Sequence, residues 1–160
     1  MKKRGFTLVE IMIVVAIIAL LAAIAIPNLL RARLNANESA TIAALKTVVA
    51  AATSFASVNG GNYPLTFVAM STAVPPYLDP SFTGAPTKSG YVLTYTPSAA
   101  VGGIIPGFMT IAVPVSRRTT GSRDFYVDEA GVICGSPADT AGATTAHTGG
   151  LCTAPDVAVQ

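Results

Sequence analysis

Residues 6–26 read FTLVEIMIVVAIIALLAAIAI, a run of 21 positions with a single charge, Glu10. A helix rises about 1.5 Å per residue, so this run reaches about 30 Å, the hydrocarbon thickness of a bilayer. Ahead of it stands the basic tag Met1-Lys2-Lys3-Arg4-Gly5. Positive charge beside an apolar span stays in the cytoplasm, which predicts the N-terminus inside and the remainder of the chain outside. Composition points the same way: 51% of residues are hydrophobic and 11% charged, where a soluble domain carries about a quarter charged.

Two ordinary readings compete for such a run. One is a cleavable secretory signal, for which Ala23-Ile24-Ala25 offers a small-residue cutting site. The other is a plain single-pass anchor. Glu10 weighs against both. A carboxylate within a span costs roughly 2.5–3.5 kcal/mol on insertion scales, and neither a disposable signal nor a passive anchor has reason to carry it. Such a charge implies a function and a cationic partner. A cut between Gly5 and Phe6 would create that cation, the new amine of Phe6, and Glu10 of one chain could pair with Phe6 of its neighbour.

The run Gly5-Phe6-Thr7-Leu8-Val9-Glu10, the apolar stretch, and then Ala25-Ile26-Pro27-Asn28 resemble the prepilin signature of type IV pilins and of the pseudopilins of type II secretion. The resemblance covers about residues 1–60. It implies a leader at 1–5, cleaved after Gly5 by a membrane aspartyl prepilin peptidase, and N-methylation of Phe6. It implies storage as a single-pass inner-membrane precursor and extraction by a platform protein driven by a cytoplasmic ATPase. The end state it implies is a homo-polymeric filament, an extracellular pilus or a periplasm-spanning one. On this reading the expected fold is α+β: a long helix over 6–58, its first half transmembrane, with its second half packed against a small antiparallel sheet in a head at 59–160. A membrane-anchored binding module that never polymerises is the alternative of a different class.

Helix-forming residues continue beyond the span. Pro27 removes a backbone donor and predicts a kink or a locally melted turn. Leu45, Val48, Ala52 and Phe55 then recur at spacings of 3, 4 and 3, the stripe of an amphipathic helix facing a core. Asn59-Gly60-Gly61 supplies its end, because glycine accepts the left-handed cap conformation. Arg31 and Arg33 would sit just outside the bilayer, as contacts to lipid head groups or subunits. Asn37-Glu38-Ser39 matches the N-glycosylation pattern, but lies within the predicted helix and is taken as a chance match.

The head begins with a Pro- and Gly-rich stretch at 59–90, containing one short helix near 66–71. Strands are expected at 91–96 and 108–115, from their β-branched and aromatic residues, with Pro114 marking an edge or a strand end. Phe125-Tyr126-Val127 and Val132-Ile133-Cys134 flank Asp128-Glu129-Ala130-Gly131, a hairpin pattern. Residues 135–160 have a loop composition with no clear strand pattern. Cys134 and Cys152 are the two cysteines, and an even pair in an exported domain predicts one disulfide closing that loop.

No enzyme signature emerges. His147, the single histidine, sits in a Thr/Gly loop and gives neither a nucleophile's base nor, with two cysteines, a zinc set. No phosphate loop or dinucleotide fingerprint is present, so no catalytic residue and no cofactor is assigned. Asp124, Asp128 and Glu129 cluster near the hairpin as calcium ligands could, but an Asp-Glu turn before Gly is ordinary turn chemistry and no metal is assigned. Net charge is +2 without a basic stripe, which points away from specific nucleic-acid binding. Loss of the leader's three basic residues would leave seven against eight acidic ones. A conductive filament would need closely spaced rings along the helix, yet none lies between Phe6 and Phe55.

Overall fold

The computed structural model describes residues 6–136, Cys152 and residues 157–159. The expected leader with Gly5, the loop residue His147 and most of the C-terminal loop lie outside them. The chain divides into two compact units, Met1–Arg33 and Leu34–Gln160.

Helix α1 covers Leu8–Val58 and is helical at every residue, Pro27 included. The melted turn that Pro27 allowed does not form. One missing N–H removes one ladder bond, and the surrounding Ala, Ile and Leu residues hold the remaining turns. In the first unit the described residues are exposed apart from half-buried Ala22, from Phe6 through Leu8, Ile11 and Leu20 to Ile26.

In the second unit, α1 buries Glu38, Thr41, Leu45, Val48, Ala51, Ala52 and Ala56. The stripe expected from sequence is therefore the core face, with Phe55 half-buried at its end. The helix stops at Gly60 and Gly61, whose φ angles are 66° and 85°, and the Gly61 N–H donates to Ala56 O at 2.8 Å. A short helix, α2 (Phe67–Ser71), follows; Thr66 caps it, its Oγ1 accepting from Ala69 N at 3.2 Å.

Among the described residues six strands form one antiparallel sheet in chain order: β1 (Thr87–Lys88), β2 (Tyr91–Pro97), β3 (Phe108–Pro114), β4 (Phe125–Asp128), β5 (Ile133–Gly135) and β6 (Val157–Ala158). Alternation fixes which face is buried. Tyr91, Leu93, Phe108, Ala112, Phe125, Val127 and Ile133 join Leu45, Val48, Ala52, Phe67 and Met70 in one core. Tyr95 stacks on Phe108 with centroids 5.3 Å apart and also meets Phe67 at 5.3 Å, so the head's rings serve as packing. Pro114 closes a central strand; β4 pairs with β3 only as far as Ala112, so the absent N–H breaks no bond to it. Asp128 starts the expected hairpin turn, accepting from Gly131 N at 3.0 Å through its carbonyl.

The expectation of no strand beyond residue 135 is corrected: β6 pairs with β5 through Cys134↔Ala158 and Gly135↔Val157. Two residues are too few to show a period, and β1 escaped the sequence for the same reason. Cys134 and Cys152 are joined as a disulfide with Cα atoms 5.7 Å apart, within the usual range.

Candidate assembly site

The first unit starts with Thr7 as the cap of α1. Its Oγ1 accepts from the Glu10 N–H at 3.2 Å, its carbonyl accepts from the Ile11 N–H at 3.3 Å, and its own N–H donates back to Glu10 Oε2 over a long 3.5 Å. This is a capping box, two helix-end donors satisfied reciprocally. The signature Thr7-Leu8-Val9-Glu10 ahead of an apolar run stands in the sequence and is the signal for this cap. The box holds the carboxylate at the helix N-terminus, where the macrodipole favours a negative charge.

Phe6, the residue expected to become the N-terminus, lies just ahead of this cap and is 80% exposed. Glu10 is exposed as well. The two residues expected to act together thus stand at one end of one apolar helix. An 18-residue window of α1 has a mean hydropathy of 3.0 and no buried residue, long and apolar enough to cross a membrane. What such a surface can do chemically is pack against lipid or against other apolar helices, with the Glu10 charge as its one polar determinant.

In the second unit the sequence reading missed a polar joint on α1. Glu38 is 5% exposed. Its Oε1 accepts from Ser122 N at 3.0 Å and Ser122 Oγ at 2.6 Å, and its Oε2 accepts from Arg123 Nε at 3.0 Å and Nη2 at 2.7 Å. Asn37 Nδ2 donates to Thr120 O at 2.8 Å, so this side chain is committed to the head. Tyr91 Oη donates to Arg123 O at 3.0 Å. Burial pushes the Glu38 carboxyl up, but the bonds from Ser122 and Arg123 and the Arg123 charge outweigh it and leave the group below its ordinary range. Burial also pushes the Tyr91 phenol well above its usual value, with the nearby Glu38 charge adding to it. A signal for this joint existed: Glu38 falls in phase with Thr41, Leu45 and Val48 on the buried stripe, where a charge needs a partner.

The carboxylates near the hairpin do not converge. Asp124 is gripped by Arg117, whose Nη2 lies 2.6 Å from both carboxylate oxygens. Asp128 Oδ1 accepts from Ala130 N at 3.0 Å, and Glu129 Oε2 from Phe108 N at 3.3 Å. Among the described residues no group of three His, Cys, Asp or Glu side chains could hold a metal ion.

Residues 1–26 match the family model of the prokaryotic N-terminal methylation motif. The chain is 56% identical over 46 residues to the type IV wide pilus major component PilA4 of Thermus thermophilus, covering 29% of this chain and 35% of that one. It is 50% identical over 56 residues to the type IV major pilin protein PilA of Myxococcus xanthus, covering 35% of this chain and 26% of that one. It is 30% identical over 91 residues to the type II secretion system core protein G of Escherichia coli, covering 57% of this chain and 62% of that one. The chain thus spans about a third or less of the length of the first two relatives. No solved structure matches the chain. The chain carries the N-terminal methylation motif at residues 1–26, a long helix over Leu8–Val58 and a small antiparallel sheet, an α+β arrangement, and its curated relatives are pilins and a secretion-system core protein.

Proposed function

We infer that this chain is a structural subunit of a type IV pilus-like filament, and not an enzyme. The observation that carries the reading is the exposed apolar helix beginning at Leu8, capped by Thr7 and Glu10, under a methylation motif at residues 1–26. A prepilin peptidase would cut after Gly5, Phe6 would be N-methylated, and the chain would wait in the inner membrane as a single-pass protein. Leaving the bilayer, the apolar helix would exchange lipid for the helices of other subunits, at little hydrophobic cost. An inner-membrane platform with its ATPase motor would drive that exchange. Glu10, matched to a neighbour's Phe6 amine, would fix the axial register, because an unpaired buried carboxylate is costly. The pseudopilin of a type II secretion system is the second reading; the match to core protein G spans 91 residues, more than either pilin match.

The test is a comparison of membrane and sheared-filament fractions for wild type and Glu10→Ala, with mass spectrometry of the mature N-terminus. The mature chain should begin at methylated Phe6. Glu10→Ala should enter the membrane and be cut normally while filaments are lost. A mature chain beginning after Ala25, or normal filament yield from Glu10→Ala as sole subunit, would overturn this account of assembly.

A further inference from the structure

The corner that ends α1 carries the dipeptide Asn59-Gly60, both residues exposed. Gly60 sits at φ 66°, and a Cβ built on it would meet nothing within 4 Å. Hydrogen bonds at this corner run from Asn59 N to the Phe55 and Ala56 carbonyls, from Gly61 N to Ala56 O and from Asn62 N to Asn59 O. Among the described residues none of these bonds uses the Gly60 N–H. The Asn59 side chain is tied down by one bond, Nδ2 donating to Phe55 O at 2.8 Å. A main-chain nitrogen with no side chain to shield it thus follows directly on a side-chain amide, in water, where helical geometry stops.

We propose that Asn59 is a site of spontaneous deamidation through a cyclic imide. The Gly60 nitrogen attacks Asn59 Cγ; the N–Cγ bond forms and the Cγ–Nδ2 bond breaks. The departing nitrogen leaves as ammonia, taking the proton that Gly60 gives up. Water then opens the ring. Breaking the new N–Cγ bond gives aspartate, and breaking the bond from Gly60 N to the Asn59 main-chain carbonyl gives isoaspartate. Only water is consumed.

The chain holds its own controls. Its other asparagines are Asn28, Asn35, Asn37 and Asn62. The first three lie inside α1, where the following residue's N–H belongs to the helix ladder. Asn62 is held by Ile105 N donating to its Oδ1 at 2.8 Å, and the N–H of the next residue, Tyr63, donates to Ile105 O at 3.0 Å. Asn59 alone combines a glycine follower with an uncommitted nitrogen.

Conversion would alter the corner. It removes one of the two donors on Phe55 O, leaving the Asn59 N–H, and places a negative charge at a helix C-terminus whose last turn has no basic residue, an unfavourable position against the macrodipole. The isoaspartyl form also lengthens the main chain by one methylene. Because this inference builds on the filament reading for its consequence, a subunit held outside the cytoplasm would accumulate the change with age.

The experiment incubates the purified full-length chain in detergent at neutral and mildly alkaline pH and follows each asparagine by peptide mapping, with enzymatic methylation to detect isoaspartate. Asn59 should convert at least an order of magnitude faster than Asn62, faster at higher pH, giving aspartate and isoaspartate together. Asn59→Gln should abolish the product. Equal rates at Asn59 and Asn62, or an Asn59 amide that persists without isoaspartate, would overturn the proposal. This readout is independent of polymerisation, so a chain that converts but never forms filaments would sink the filament reading and leave the chemistry of Asn59 standing.

Discussion

Arg123 holds Glu38 by two nitrogens on one oxygen, Nε at 3.0 Å and Nη2 at 2.7 Å from Oε2, while Ser122 occupies Oε1. The segment entering β4 is thereby fixed to α1 by a charge pair whose acidic partner is almost fully out of water. A planar fork suits this geometry in a way that a point charge does not.

Arg123→Ala should therefore destabilise the head. Removing one partner of a fully buried pair costs about 3–5 kcal/mol, and the partial exposure of Arg123 brings the expected loss down to about 2 kcal/mol. Arg123→Lys should fall between the two. Denaturant midpoints of the full chain in detergent would show it, and an unchanged midpoint for Arg123→Ala would remove the joint from the account of stability.

The joint also fixes a pH dependence. The Glu38 carboxyl lies below its ordinary value of 4.5 in the folded chain. The unfolded chain then takes up the proton first as pH falls. The stabilisation is complete above the ordinary value and is lost as pH falls through the lower, folded value. Melting profiles should drop in that acid window, and Glu38→Gln should flatten the drop. An identical acid limb in the variant would place the loss on other carboxylates.

Gly121→Ala should be disruptive out of proportion to one methyl group. A Cβ at this position would collide with the ring and hydroxyl of Tyr91, which is fully buried and bonded to Arg123 O. The expected cost is about 1–3 kcal/mol, the range for overpacking a well-filled core. Gly121 does not sit in the left-handed region, so this cost is collision alone; chemical denaturation of Gly61→Ala, at a left-handed site open to solvent, would show backbone strain without collision for comparison.

The Cys134–Cys152 bond closes a separation of 18 residues. In the chain-entropy model such a loop contributes about 3 kcal/mol. Cys152→Ser should lower stability by about that amount and free the β5 edge, seen as faster amide exchange at Gly135, whose main chain faces β6. Unchanged exchange there would show that β6 stays paired without its tether.

The long helix was legible because apolar composition, a basic tag and a phased stripe all agree over many residues. Strands β2 to β5 were legible for the same reason, since each carries enough β-branched or aromatic residues to declare itself. Strands β1 and β6 were not, because two-residue pairings are created by their neighbours. Glu38 was overlooked because its partners at 122 and 123 are 84 and 85 positions away. A buried charge announces that it needs a partner without saying which. The capping box at Thr7 was visible in Thr7-Leu8-Val9-Glu10 ahead of an apolar run.

The sheet has narrow margins: its two outermost strands, β1 and β6, are two residues each. An outer strand is a row of open donors and acceptors that invites another chain to zip onto it, and brevity is one way to blunt it. Subunits waiting side by side in one membrane would be crowded enough for such zipping to compete with ordered growth. On the filament reading proposed above, a head with blunt margins would leave the apolar helix as the route by which subunits join, and would confine polymerisation to the step at which that helix leaves the bilayer.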